Sequence, residues 1–401
     1  MTTRVFVTGI GLITAIGDSA SENIASIVAG KTGLTSVSHI ATSNRDRFPV
    51  CEIKHPNQEL ARMAGIKPGW EISRTALLGL IAAREAIKEA GLSAVQARGC
   101  GVVSANSVGG MDRSERFYPD FLTNPSRGKL RSVKGHECGF STDFIASQLE
   151  LHGFCTTIST ACSSSANSIM FGARLIKHGK CDRILVGGCD ALTRFTINGF
   201  ASLKILDPEG CRPFDENRSG LNLGEGAGFL VLESESSVKA QQKTPIAEIT
   251  GYANTCDAFH QTASSPDGDG AYQAMRQALQ IAGIAPAQVD YINAHGTGTK
   301  NNDLSEGRAI EQLFHDSPPD FSSTKPFTGH TLGAAGAIEA VYSCLALKEG
   351  LIFPNLRWQS AMTDLAITPN LELKRGQAVR HILSNSFGFG GNDSSLVISQ
   401  C

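Results

Sequence analysis

Val5-Phe6-Val7-Thr8-Gly9, close to the start of the chain, is matched past its midpoint by Ile246-Ala247-Glu248-Ile249-Thr250-Gly251. Each is a short apolar run that meets a glycine, which reads as a strand entering a turn. The correspondence continues outward from both. Ala76 to Ala90 is a helical pattern ending at Gly91-Leu92, and Cys100-Gly101-Val102-Val103-Ser104-Ala105-Asn106-Ser107 follows it. Ala271 to Ala282 ends likewise at Gly283-Ile284, before Val289-Asp290-Tyr291-Ile292-Asn293-Ala294-His295. Both read helix, glycine stop, strand, functional turn. Late in each half, Asp182 to Gly188 and His381 to Gly388 are apolar strands that break into glycine-rich turns. Strands alternating with helices predict a layered α/β architecture, and the duplication predicts two similar halves about a pseudo-twofold axis, with a site between them. The division falls near Ser234 to Thr244, where the strand ending at Glu233 gives way to a polar stretch. Residues 1–240 and 241–401 are the two expected halves.

The composition is that of an ordinary globular protein. With 401 residues, 41% hydrophobic and 18% charged, the chain has enough apolar material for a core of double domain size, given ~100–200 residues per domain. A formal net charge of -2, with the signs interspersed and no basic run or basic-aromatic interleaving, argues against nucleic acid as a partner. Glycines punctuate the opening Met1 to Ile13, and no cleavage site follows a long apolar core, so this segment reads as a first strand and turn. Nothing approaches the ~20 apolar residues of a membrane helix, and the expected location is the cytoplasm. The 11 cysteines are odd in number and contain no Cys-x-x-Cys, so most are expected to be buried small apolar residues in a reducing compartment.

Cys162 is set apart by its position. In Ser159-Thr160-Ala161-Cys162-Ser163-Ser164-Ser165 it stands where the strand Thr156 to Ser159 yields to an apolar helix, Ala166 to Lys177. The amide donors and dipole of a helix N-terminus lower a thiol's pKa and serve an oxyanion. A capping turn with an inert cysteine fits this stretch equally well, so the histidines decide. His295, in Asn293-Ala294-His295-Gly296-Thr297-Gly298-Thr299, ends an apolar strand and opens a small hydroxyl-rich loop suited to a polar extended substrate arm. His330, in Lys325-Pro326-Phe327-Thr328-Gly329-His330, precedes the apolar Leu332 to Ile338, whose glycines permit close packing. The other eight of the 10 histidines read as satisfied surface or core groups. A cysteine nucleophile with two neutral imidazoles suits carbon-carbon bond formation: the thiolate takes an acyl group, and the imidazoles polarise a second thioester and steady the enolate left when carbon dioxide departs. That is a decarboxylating Claisen condensation.

At these motifs the chain resembles the beta-ketoacyl carrier-protein synthases of the thiolase superfamily, specifically the elongating class of type II fatty-acid and polyketide systems. The likeness runs from Val7-Thr8-Gly9-Ile10-Gly11 through Arg212-Pro213-Phe214-Asp215 and Gly224-Glu225-Gly226-Ala227-Gly228 to Asn385-Ser386-Phe387-Gly388-Phe389-Gly390-Gly391-Asn392. The resemblance implies a thiolase-like fold, two pseudo-repeated halves in a five-layered α-β-α-β-α arrangement, and an acyltransferase that works as a dimer. It further implies that Cys162 accepts the acyl group and that His295 and His330 bind the malonyl carbonyl. Lys325 matches the lysine of the family's Lys-x-x-x-Gly-His pattern, with Glu339 its first candidate acidic partner and Glu306 its second. By the same resemblance the amides of Cys162 and Phe389 form an oxyanion hole, Phe389 is a gate, Thr297 and Thr299 meet a phosphopantetheine arm, and Val108 and Phe200 line an acyl pocket. The substrates implied are thioesters on acyl carrier protein; no metal and no diffusible cofactor is implied. The expected assembly is a homodimer or a heterodimer with a chain-length subunit.

Two histidines distinguish this pattern from priming and chalcone-type synthases, which pair cysteine with histidine and asparagine, and from thiolases, which use a second cysteine. Two other readings stay open: a non-catalytic chain-length partner, which characteristically lacks the nucleophile, and a cysteine-dependent thioester hydrolase, which would leave His330 and the Phe387 to Gly391 turn unexplained. The uniform Ser163-Ser164-Ser165 and the polar Val133 to Gly139 depart from housekeeping elongating synthases. They point to an unusual acyl pocket, with specialised polyene or polyketide chains as plausible as fatty acids.

Overall fold

The first half supplies strands β1 (Val5–Thr14), β2 (Gly101–Ala105), β3 (Cys155–Ile158), β4 (Arg183–Asp190) and β5 (Gly226–Ser234). The second supplies β6 (Ala247–Cys256), β7 (Tyr291–Asn293), β8 (Asp320–Ser322), β9 (His381–Gly388) and β10 (Asn392–Ser399). These come from a computed structural model that describes residues 3–67, 69–315 and 317–401; Met1 and Thr2 of the quoted opening segment lie outside the described residues, as do Pro68 and Asp316.

Strand order is β3-β2-β4-β5-β1-β6-β10-β9-β7-β8. When each strand of the first half is equated with the strand five places later, the order reads the same from both ends. The pairing senses also match: β2 lies parallel to β3 and β4, as β7 does to β8 and β9, while β5 and β10 pair antiparallel with both of their neighbours. Among the described residues β1 and β6, where the two halves' strands meet, pair at Phe6↔Glu248 and Val7↔Ala247.

Helices build the layers. Helix Arg74–Glu89 covers β1, β5 and β4 on one outer side, with Cys138–Gln148 beside it. Helix Asp269–Ala282 covers β6 and β10 on the other, with Lys300–Phe314 beside it. Ser164–Lys177 and Ala335–Glu349 pack on each other and touch strands of both halves, so they form the middle layer of an α-β-α-β-α stack. Strands covered on both faces read as continuous apolar runs, and every residue of β1 and β5 is buried. Middle-layer helices sit close: a Cβ on Gly336 would lie 2.8 Å from Ala166 N.

Two expectations need correction. Gly9 and Gly251 do not end their strands, which run on to Thr14 and Cys256. They allow close approach instead: a Cβ on Gly9 would lie 2.2 Å from Ala86 O, and one on Gly251 would lie 2.2 Å from Ala278 O. The matched glycines thus do the same work in each half, letting a strand lie against its outer helix. The polar stretch after Glu233 holds a short helix, Glu235–Ala240, whose N-cap Ser234 accepts from Ser237 N. Second, the cysteines are less uniformly buried than expected: six of the eleven are buried, while Cys155, Cys256 and Cys401 are exposed, and all are free thiols. Among the described residues no helix is long and apolar enough to cross a membrane.

Candidate active site

Strand β3 delivers the chain to a tight turn at whose end Cys162 sits, just ahead of helix Ser164–Lys177. Ala161 takes φ 53°, a left-handed conformation that a non-glycine residue adopts only when its surroundings impose it. The serines impose it. Ser164 Oγ accepts from Thr160 N at 2.8 Å and donates to Ala161 O at 2.6 Å, Ser163 Oγ donates to Thr160 O at 2.8 Å, and Ser165 Oγ accepts from Ala337 N at 2.8 Å. This uniform run therefore braces the turn and ties it to the middle-layer helix. None of the three lines the cavity described below.

His330 reaches Cys162 from the other half of the molecule. Its Nε2 lies 3.0 Å from Cys162 Sγ, and its ring stands edge-on to that of His295 at a centroid separation of 5.4 Å. The loop carrying it is pressed against the Gly224 segment: His330 N donates to Asn222 O at 2.7 Å, and a Cβ on Gly224 would fall 2.0 Å from Thr328 O. Beyond the histidine, Leu332 is again left-handed, and Gly333 N donates to the buried Asp190 carboxylate at 2.7 Å.

Lys325 is 2% exposed and stands between His295 and Glu339, with Nζ 3.2 Å from His295 Nδ1 and 2.5 Å from Glu339 Oε1. An ammonium can only donate, so Nδ1 is the acceptor and neutral His295 carries its proton on Nε2. Glu339 is thus the lysine's partner. Glu306, the second candidate, is not: its carboxylate accepts from His295 N at 2.9 Å and Gly296 N at 2.8 Å, and so holds the loop rather than the lysine. Asp303, one turn earlier on the same helix, accepts from Thr297 N at 3.0 Å, Gly298 N at 3.1 Å and Phe214 N at 2.8 Å. Sequence reasoning missed Asp303. Its signal was the spacing Asp303-x-x-Glu306 directly after the glycine loop, which puts both carboxylates on one helix face.

Burial sets the protonation states. It drives both His295 and His330 well below the usual imidazole value, with Lys325 pushing the same way, so both rings are neutral at pH 7. Burial also pushes the Cys162 thiol up to about 11, against the opposing pull of Lys325 and a hydrogen bond from the Phe389 amide. The expected lowering by the helix N-terminus is therefore corrected: with the thiol 6% exposed, desolvation outweighs it. The same burial raises Glu306 and Glu339 to about 7. Among the described residues His330 Nδ1 is buried without a hydrogen-bond partner.

A cavity of about 470 Å³ opens from this cluster, lined by Cys162, His295, His330, Thr297, Thr299 and Phe389 together with residues toward solvent. Thr297 and Thr299 hydroxyls lie 2.8 Å apart. Phe200 also lines it and stacks on Phe389 with centroids 6.0 Å apart. Val108, expected beside Phe200, is not a lining residue; it packs with Phe200 on the apolar cluster of Leu192, Ile197 and Leu332. A Cβ on Gly388 would lie 3.3 Å from Cys162 N, so a glycine there keeps that amide open. The Cys162, His295 and His330 ligand atoms all lie within 4.8 Å of one another, a spacing that also suits a metal ion. The Lys325 ammonium beside His295 works against a second cation there.

Residues 2–238 match the family described as "Beta-ketoacyl synthase, N-terminal domain", and residues 246–359 match "Beta-ketoacyl synthase, C-terminal domain". The chain belongs to the beta-ketoacyl synthase family. As a beta-ketoacyl synthase it is a condensing acyltransferase, and its five layers are the thiolase-like fold. It is 34% identical over 411 residues to the 3-oxoacyl-[acyl-carrier-protein] synthase 2 of Coxiella burnetii, covering 99% of this chain and 98% of that relative. A structure titled "The ishigamide ketosynthase/chain length factor" superposes with a TM-score of 0.94 at 32% identity, covering 100% of both chains. The ketosynthase ApeO in complex with its chain length factor ApeC, from Xenorhabdus doucetiae, gives a TM-score of 0.84 at 32% identity, covering 100% of this chain and 98% of that one.

Proposed function

We propose that this beta-ketoacyl synthase condenses an acyl group carried on Cys162 with malonyl-acyl carrier protein, releasing 3-oxoacyl-acyl carrier protein and carbon dioxide. The observation that carries the reading is the buried neutral pair of Cys162 Sγ and His330 Nε2 at 3.0 Å, with a second neutral imidazole beside it. In the first half-reaction Cys162 attacks the acyl thioester as its proton passes to His330 Nε2. The carbon-sulfur bond to the carrier breaks, and the departing thiolate recovers that proton. Oxyanion charge falls on the amides of Cys162 and Phe389. In the second, the Nε2 protons of His295 and His330 donate to the malonyl thioester oxygen. The carboxylate leaves as carbon dioxide, its bonding pair forming an enolate that attacks the Cys162 thioester and expels the cysteine sulfur. His330 Nε2 accepts from the thiol in the first step and, in the other tautomer, donates to the malonyl oxygen in the second. Thr297 and Thr299 hold the phosphopantetheine arm, and Phe389, stacked on Phe200, separates acyl from malonyl access. Neither step asks for a metal or a diffusible cofactor.

We take residues 1–240 as the half that brings the nucleophile and 241–401 as the half that brings both histidines, so the site forms only when they are packed. The working unit is a dimer in the cytoplasm, with a second copy or with a chain-length subunit of the kind named for the ishigamide and ApeO structures. A chain-length subunit is not the role of this chain itself, because it keeps Cys162 with both histidines. The test is elongation. Purified protein is given malonyl-acyl carrier protein and saturated, unsaturated and aryl acyl carrier proteins, and products are read by mass spectrometry. A 3-oxoacyl product absent with Cys162→Ala supports the proposal, and the preferred primer assigns the pathway; product formation by Cys162→Ala overturns it.

A further inference from the structure

The cavity is graded along its length. At its closed end stand Cys162, His295 and His330, all buried; Thr297 is buried, Thr299 is half-buried, and at the open end Lys204 and Lys300 are exposed. Among the described residues no carboxylate lines the cavity, so the two ammonium groups at its mouth are uncompensated within it, and a low-dielectric cleft lined by one sign of charge attracts the opposite sign. Neither lysine forms an ion pair among the described residues.

The mouth is built to hold Lys300 in place. Arg218, itself 7% exposed, donates to Thr299 O at 3.3 Å and Lys300 O at 2.8 Å, which adds a buried cation directly behind this rim. Asn301 bonds Ser264 in both directions, accepting from its N at 2.7 Å and donating to its O at 3.1 Å, and so ties the facing wall to the residue after Lys300. Lys204 follows the last turn of helix Arg194–Ser202 in a left-handed conformation, φ 58°, its N donating to Ala201 O at 3.1 Å.

We propose that Lys204 and Lys300 form a phosphate clamp at the cavity mouth, which grips the phosphodiester of the phosphopantetheine arm while the thioester reaches Cys162. This rests on the condensing reading above and adds to it the group that fixes how far the arm enters. The recognised chemistry is a phosphate ester on a pantetheine chain, and both carrier protein and coenzyme A could present it.

The test compares KM for malonyl-pantetheine, which has no phosphate, with KM for malonyl-4′-phosphopantetheine, on enzyme already acylated at Cys162. Malonyl-coenzyme A and malonyl-acyl carrier protein serve as further arms that separate the two sources. One charge-assisted contact predicts a KM about tenfold lower for the phosphorylated arm in the wild-type protein. In the Lys204→Gln/Lys300→Gln variant this ratio falls to about one, and Lys204→Arg/Lys300→Arg retains it. Because the ratio is taken within each protein, a general loss of activity does not imitate the result. A wild-type ratio near one, or a ratio that survives in the glutamine variant, overturns the clamp. Failure of every malonyl substrate to condense would instead strike at the condensing reading itself.

Discussion

Desolvation makes Cys162 a protonated thiol at neutral pH, and this has a direct chemical readout. An acid raised to about 11 holds only a small thiolate fraction at pH 7, and that fraction grows roughly tenfold per pH unit. Alkylation of Cys162 by neutral iodoacetamide, followed on its own peptide so that exposed Cys155 and Cys256 do not interfere, should still be accelerating above pH 9.5, where an ordinary thiol has levelled off. A plateau below pH 8 would mean that the helix N-terminus prevails over burial. At Lys325 the prediction concerns stability. Lys325→Met strands the Glu339 carboxylate in the interior and should cost about 3–5 kcal/mol in chemical denaturation. Adding Glu339→Gln should recover part of that loss, and equal stability of the single and double variants would contradict the pairing. Cys162, His295 and His330 were legible because each stands in the turn that follows an apolar strand or directly after a glycine. The direction of the thiol shift was not, because desolvation is imposed by residues far away in sequence. What Glu306, the second candidate, holds was hidden for a similar reason: which donor it faces depends on how the loop from His295 to Thr299 curls back over the helix.

Among elements, the middle layer carries the tightest tolerance. A methyl on Gly336 would meet Ala166 N at 2.8 Å and Ala166 Cβ at 2.9 Å, so Gly336→Ala must part the two helices that hold Cys162 and the segment after His330. We expect a loss of about 1–3 kcal/mol in thermal or chemical unfolding, together with reduced acyl transfer. Gly199→Ala is the control: it also lies in a helix, nothing stands within 4 Å of its new Cβ, and it should stabilise by about 0.5–1 kcal/mol. Equal effects of the two substitutions would show that the contact does not matter. Helices and strands were readable from apolar period and glycine stops, as at Gly91 and Gly283. Gly9 and Gly251 carry the same letter with a different meaning, since a strand pressed on a helix backbone and a strand ending in a turn both call for glycine.

For the molecule as a whole, duplication was the readable fact, and the palindromic strand order is its three-dimensional form. Sequence likeness shows which segments correspond but not that the two middle helices must share one layer, which arises only when the halves close on each other. Packing inside the second half also buries carboxyls. Asp393 and Glu306 are both raised to about 7, principally by burial. The folded protein therefore holds protons that the unfolded chain releases near pH 4, so these groups add stability at low pH that is lost as pH rises toward about 7. Asp393→Asn should flatten the fall in melting temperature between pH 5 and 8, and an unchanged slope would show that Asp393 ionises normally. The central claim, that one sulfur from the first half receives the acyl group and surrenders it to a malonyl-derived enolate, is tested most directly by intact-mass measurement during a two-step chase. The wild-type protein should gain one acyl group from acyl carrier protein, on Cys162 only, and lose it as 3-oxoacyl product when malonyl carrier protein is added. An unacylated protein, equal acylation of Cys162→Ala, or discharge of the acyl group to water alone would contradict the account.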